Sequence, residues 1–189
     1  MRKIILVVHT SLDGFVAYRN GELMGFDRGE ENLQFVCKLT KTADTALFGR
    51  ISYKLLNDYW PSAKDNLQAS KGEIAFSNWY NTAQKIVVSK SMKGAQLNNT
   101  TIISHDVLTE LQHIKEKSGK DILIFGSPSI AQMLLSTGLI NSYWVFINPV
   151  IFGEGIALFK IQKDKIKLKL VAKKQFGNGE LGLNYNTEH

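Results

Sequence analysis

Three short stretches place small, hydroxyl-bearing or cationic residues where an apolar run gives way to a polar turn. Phe125-Gly126-Ser127-Pro128-Ser129 follows the run 121–125 and opens the amphipathic segment 130–135. Gly49-Arg50-Ile51-Ser52-Tyr53 follows the run 45–48, and Ser89-Lys90-Ser91 closes the run 85–89. A strand that ends in a glycine turn and starts a helix offers unpaired N–H groups and partial positive charge, which suits phosphate. Gly126 permits close backbone approach, Ser127 and Ser129 add hydroxyls, and Pro128 fits a first helical turn. Arg50 has the planar fork that matches phosphate, Ser52 can cap its helix or bind the same oxygen, and Lys90 is a second cation beside Ser89. Taken singly, each stretch also reads as an ordinary turn or a surface ion pair. Together they fit a ligand with several phosphates along its length, such as a phosphorylated dinucleotide.

Other phosphate and nucleophile signatures are absent. The first apolar run leads into His9-Thr10-Ser11-Leu12-Asp13-Gly14, without the G-x-G-x-x-G fingerprint. There is no Walker loop and no G-x-S-x-G elbow. The four histidines lack metal-ligand spacing, so no metal is expected.

The elements that must position these turns alternate in type. Apolar runs at 3–8, 45–48, 85–89, 101–103, 122–125 and 142–148 read as strands, with 12–17 continuing the first after a kink. Helices are expected at 30–41, 51–57, 71–82, from a cap at Ser104 or Asp106 to about 117, and at 129–136. Leu33, Val36, Cys37 and Thr40 share one face of the first, and Ile74 and Trp79 point inward from the third. Two last strands, 166–176 and 180–186, flank the hairpin turn Gly177-Asn178-Gly179. Alternation implies a mostly parallel sheet covered on both faces, with an antiparallel C-terminal hairpin. Ligands in such sheets bind beyond the carboxyl ends of the strands, so neighbouring strands would bring the three turns to one rim.

At 189 residues the chain fits one domain, 1–189, since splitting sets in beyond ~250 residues. No run reaches the ~18 apolar residues of a membrane span, and the N-terminal run is too short for a signal peptide. A lone cysteine, Cys37, suggests a reducing, cytoplasmic setting and reads as a small apolar side chain. The net charge is +6, densest at 163–174, where Lys165, Lys167 and Lys169 alternate with Ile166, Leu168 and Leu170. That is a period-two strand with one wet face. No aromatics interleave the lysines, so nucleic-acid binding is not expected.

The ordered set of segments resembles the dihydrofolate reductase-like superfamily, and within it the riboflavin-pathway reductase branch, the RibD C-terminal domain family. The segments are Ser11-Leu12-Asp13-Gly14-Phe15-Val16-Ala17, Ala43 to Tyr53, Lys85 to Lys90, Ile124 to Ser129, and Asn148 to Gly155. The resemblance implies a three-layer αβα fold around a mixed, mostly parallel sheet, and NADPH as hydride donor. It places Gly49, Arg50, Ser52, Ser89 and Lys90 at the adenosine phosphates, with Ser89 or Lys90 near the 2′-phosphate. It puts Gly126, Ser127 and Ser129 at the pyrophosphate, and the segment from Thr10 to Ala17 beside the nicotinamide. Gly153 and Glu154 fall at the substrate mouth. Phe26, Phe35 and Trp60 are pocket candidates that also read as core. Asp13 is the candidate polar partner at the reacting centre, with a turn residue before Gly14 as its alternative role.

Two departures matter. Folate reductases carry an acidic residue on the first helix where this chain has Leu33, with Glu30 and Glu31 a turn earlier; no carboxylate is then expected in the pocket. They also have two glycines where this chain has Phe125-Gly126. The chain lacks a fused deaminase with its zinc signature. The expected function is NADPH-dependent reduction of a small heterocycle, best matched by 5-amino-6-(5-phosphoribosylamino)uracil reduction. Folate or pterin reduction and nucleotide binding without turnover are the alternatives. Family habit and apolar groups on both faces of 142–148 suggest a homodimer.

Overall fold

A computed structural model describes residues 1–19, 21, 26–27, 29–160 and 165–188; Lys163 of the basic segment lies outside them. The strands are β1 (Ile4–Thr10), β2 (Phe15–Ala17), β3 (Ala43–Gly49), β4 (Gln84–Val88), β5 (Thr100–Ile103), β6 (Asp121–Phe125), β7 (Ile140–Ile147), β8 (Ile156–Ala157), β9 (Leu168–Gln175) and β10 (Leu181–Thr187). The helices are α1 (Glu30–Thr40), α2 (Arg50–Ala63), α3 (Lys71–Thr82), α4 (Val107–Glu116) and α5 (Pro128–Leu134). A short 3₁₀ turn, Leu135–Thr137, extends α5.

The main sheet runs β5-β4-β3-β6-β1-β7-β10-β9. From β5 to β7 every neighbouring pair is parallel, and β10 and β9 close the sheet as an antiparallel hairpin. Alternate residues of one strand feed opposite cores, as period-two geometry requires. Ile4, Leu6 and Val8 of β1 pack with Leu111 of α4 and with Ile130, Ala131 and Leu134 of α5. Val7 packs on the other face with Val36 of α1, Tyr53 of α2, and Phe76 and Tyr80 of α3. This is the three-layer αβα arrangement expected, hairpin included.

Several local expectations change. Residues 12–17 do not prolong β1: the chain turns at Ser11–Gly14, where the Gly14 N–H donates to the Ser11 carbonyl, and β2 pairs with β8 in a separate two-stranded ribbon. Helix α2 continues past 57 through Pro61, because Trp60 packs 4.3 Å from Phe76 and the Trp60 carbonyl accepts from Ser77 Oγ at 2.7 Å. In α3, Ile74 is exposed while Phe76, Ser77 and Tyr80 face inward. Asp106 sits at the start of α4 with a left-handed backbone and makes no capping side-chain bond. Strand β9 is one edge of the main sheet, β5 being the other. Leu168 and Leu170 stay exposed like Lys169 between them, so neither face is covered there by the described residues. Cys37 is buried against the Gly72 carbonyl, and burial pushes its thiol up from the ordinary value.

Candidate active site

The six parallel strands all point their carboxyl ends to one rim. β4, β3, β6 and β1 are consecutive there, so the Ser89, Gly49, Gly126 and Thr10 turns stand side by side. The chain also reverses direction at this place. After β1 it builds outward through β3, β4 and β5, returns to insert β6 between β3 and β1, then crosses to β7. A topological switch of this kind leaves a crevice above the strands.

The first group of residues lies along that rim. Gly49 precedes α2, whose N-terminus has no side-chain cap, and its N–H donates to Ser127 Oγ at 2.6 Å. A Cβ on Gly49 would meet Ser129 Oγ at 2.9 Å and Ser127 Oγ at 3.3 Å, so only glycine lets the two turns close on each other. Gly126 and Ser127 both have left-handed backbones, φ 57° and 50°, an uncommon conformation for serine. Ser127 is buried, whereas Arg50 and Lys90 are exposed on the rim and Ser52 is half-buried. Ser89 is buried, shares a 3.2 Å contact with Ser91 Oγ, and accepts from the Met92 N–H. These residues fit a dinucleotide's phosphates: an uncapped helix start, a glycine cradle that a side chain would fill, and two cations beside them.

A second group gathers at the end of β1. Thr10 is buried and its carbonyl accepts from both the backbone and the side chain of Asn148, whose Oδ1 has no partner among the described residues. Ala17 is buried in β2. Asp13 accepts from the N–H groups of Phe152 at 3.1 Å and Gly153 at 2.8 Å. The Ser11 hydroxyl foremost, with those two N–H groups, outweighs desolvation and holds the Asp13 carboxyl below the ordinary carboxylate range. Such a group accepts hydrogen bonds near neutral pH rather than donating a proton. Glu154 pairs with Arg19 and takes a longer bond from Tyr18 at 3.4 Å. Phe26 stacks on Phe152 at 5.2 Å, and His9 stacks on Phe146 at 5.0 Å with Phe26 beyond it at 6.4 Å. Phe35 and Trp60 join the aromatic core instead.

A buried carboxylate is present after all, but α1 does not supply it. Glu30 accepts from the Gly72 N–H and Gln34, while Glu31 binds Lys174 and the Gly177 N–H. The buried group is Glu180, 0% exposed, whose Oε1 lies 2.7 Å from His9 Nδ1. Neither residue stood out in the sequence, because the hairpin and β1 meet only in the folded sheet.

The chain matches the RibD C-terminal domain family over residues 2–181 and belongs to it. It is 30% identical over 189 residues to the uncharacterized protein YyaP of Bacillus subtilis (strain 168), covering 98% of this chain and 95% of that one. Among solved structures it is similar to a diaminohydroxyphosphoribosylaminopyrimidine deaminase/5-amino-6-(5-phosphoribosylamino)uracil reductase from Thermotoga maritima. That likeness has a TM-score of 0.70 at 16% identity and covers 99% of this chain and 57% of the other. It is also similar to dihydrofolate reductase from Enterococcus faecalis complexed with NADP(H), with a TM-score of 0.64 at 13% identity and coverage of 99% and 97%. The fold is therefore dihydrofolate reductase-like.

Proposed function

We propose that the chain is an NADPH-dependent reductase of a small heterocyclic substrate, with 5-amino-6-(5-phosphoribosylamino)uracil as the best-matched compound. The observation that carries this reading is the meeting of three phosphate-suited turns on adjacent strands, two of them joined by the Gly49–Ser127 bond. Family membership and the reductases that share the fold support it. In this reading Gly49, Arg50, Ser52, Ser89 and Lys90 hold the adenosine phosphates, and Gly126, Ser127 and Ser129 the pyrophosphate. Thr10 and Ala17 flank the nicotinamide, and Phe26, Gly153 and Glu154 border the substrate. The bound cofactor would supply hydride; the protein positions and shields the acceptor and furnishes the proton. Asp13 contributes by fixing the Gly153 loop over the end of β1.

Fluorescence titration with NADPH and NADH tests the cofactor. NADPH should bind more tightly than NADH, and Arg50→Ala and Lys90→Ala should each weaken NADPH by about tenfold, the loss of one charge-assisted contact of roughly 1.5 kcal/mol. Equal, weak binding of both cofactors would sink the reading. We also propose a cytoplasmic homodimer, in which a partner covers the leucines of β9; a monomeric mass by light scattering would remove the dimer.

A further inference from the structure

Glu180 poses a problem of its own. Its side chain is fully buried, and neither carboxylate oxygen has a hydrogen-bond donor among the described residues. The 2.7 Å approach of His9 Nδ1 is close, although it falls short of hydrogen-bond alignment. A buried carboxylate left this way is costly unless a proton is held between it and its neighbour. The surrounding chain goes to some length to keep it there. Glu31 on α1 grips the hairpin through Lys174 and the Gly177 N–H, and Asn178 Nδ2 donates to the Asp27 carbonyl at 2.6 Å. The Phe176 N–H then donates to the Glu180 carbonyl.

His9 faces two ways. Nδ1 turns to Glu180, and the ring lies on Phe146 while a quarter of the side chain remains exposed. It sits two residues beyond Val7, whose carbonyl accepts the Gly126 N–H, and one residue before Thr10. It thus lies between the phosphate-suited turns and the Phe26–Phe152 stack. The other aromatic side chain there with a polar proton, Tyr18, packs edge-on against Phe152 at 5.9 Å and directs its hydroxyl to Glu154.

We propose that His9, oriented by Glu180, delivers the proton that accompanies hydride transfer. This rests on the reductase reading and narrows the substrate to a flat heterocycle with a reducible C=N bond, either in the ring or as the ring-opened imine of a sugar amine that it carries. Hydride adds to the carbon, the π electrons pass to nitrogen, and that nitrogen takes the proton from His9 Nε2. The neutral ring keeps Nδ1–H toward Glu180 and regains its Nε2 proton from water along its exposed edge. The sum is C=N, NADPH and one proton giving CH–NH and NADP⁺. His9 would be a catalytic residue in this scheme and Glu180 a positioning one.

Two measurements on the full chain decide it. The first needs no turnover: long-range ¹H–¹⁵N correlations of the His9 ring at fixed pH, with and without NADP⁺, in wild type and Glu180→Gln. Changes on substitution and on NADP⁺ binding support the pair and its place; a His9 signal unmoved by both overturns the proposal. The second follows NADPH oxidation with 5-amino-6-(5-phosphoribosylamino)uracil and dihydrofolate as probes. Single variants could fold poorly by orphaning one buried partner, so the double variant His9→Leu/Glu180→Leu, which removes both, is run beside them. The proposal expects kcat to fall at least about a hundredfold with the NADPH Kd unchanged, and Glu180→Asp to recover part of it. Wild-type turnover in the double variant overturns the relay alone. A wild-type chain that binds NADPH yet reduces neither probe overturns the C=N substrate and the relay with it. Failure to bind NADPH at all sinks the reductase reading beneath both.

Discussion

The Gly49 N–H donates to Ser127 Oγ at 2.6 Å, linking the end of β3 to the end of β6. This single bond fixes the spacing of two turns that come from segments far apart in sequence. Ser127→Ala leaves a buried N–H without a partner. It should cost about 1–3 kcal/mol and lower Tm by roughly 2–4 °C per kcal/mol. Thermal unfolding reads this directly, and an unchanged Tm would show that water satisfies the Gly49 N–H equally well.

Gly155 has φ 152°, and a Cβ there would overlap the Ala17 carbonyl on the neighbouring strand. Gly155→Ala should destabilise the chain by about 1–3 kcal/mol through backbone strain and separation of β2 from β8. Chemical denaturation measures it; a neutral substitution would mean that the ribbon shifts without penalty.

Asp13 ties the Ser11–Gly14 turn to the 151–154 loop through the N–H groups of Phe152 and Gly153. Asp13→Ala should speed hydrogen exchange at those two amides and ease proteolysis nearby while leaving β1 protected. Unchanged exchange at both positions would remove the docking role.

Glu30 joins α1 to α3. The Ser70 hydroxyl first, then Gln34 and the Gly72 N–H, outweigh desolvation and hold its carboxyl below the ordinary 4.5. Because the folded value is lowered, the stabilisation is present above the unfolded value and is lost as pH falls through the folded one. The stability gap between wild type and Glu30→Gln should be constant above about pH 5 and close on further acidification. The group is largely exposed, so a gap of roughly 0.2–1 kcal/mol is expected. A gap independent of pH would assign the effect to packing.

The layers and the three turns were legible in the sequence because both depend on local signals, whereas the adjacency of β4, β3 and β6 that joins the turns into one rim is a property of the folded sheet. Apolar runs of strand length, periodic helical faces and glycine turns each report on a few neighbouring residues. The Gly177-Asn178-Gly179 hairpin was equally plain. Strand β8 escaped notice because Ile156–Ala157 is too short to show a period. The end of α2 was hidden because Pro61 argues locally for a stop, while Trp60 packing against Phe76 favours continuation. His9 and Glu180 carried no signal at all. A histidine at the end of a strand and a glutamate after a turn are ordinary residues until β1 and the β9–β10 hairpin lie on either side of β7.

That last relationship bears on how the chain assembles. His9 belongs to β1 and Glu180 to the β9–β10 hairpin, which is synthesised after the rest of the sheet. Until β10 pairs with β7, the growing chain exposes the backbone edge of β7 and leaves His9 without its carboxylate. Contacts of such long sequence separation form slowly, because loop-closure entropy is lost before any contact repays it. Docking of the hairpin thus joins two late events, the covering of the β7 edge and the approach of Glu180 to His9. A nascent chain paused before β10 would hold most of its core yet remain prone to pairing with other chains.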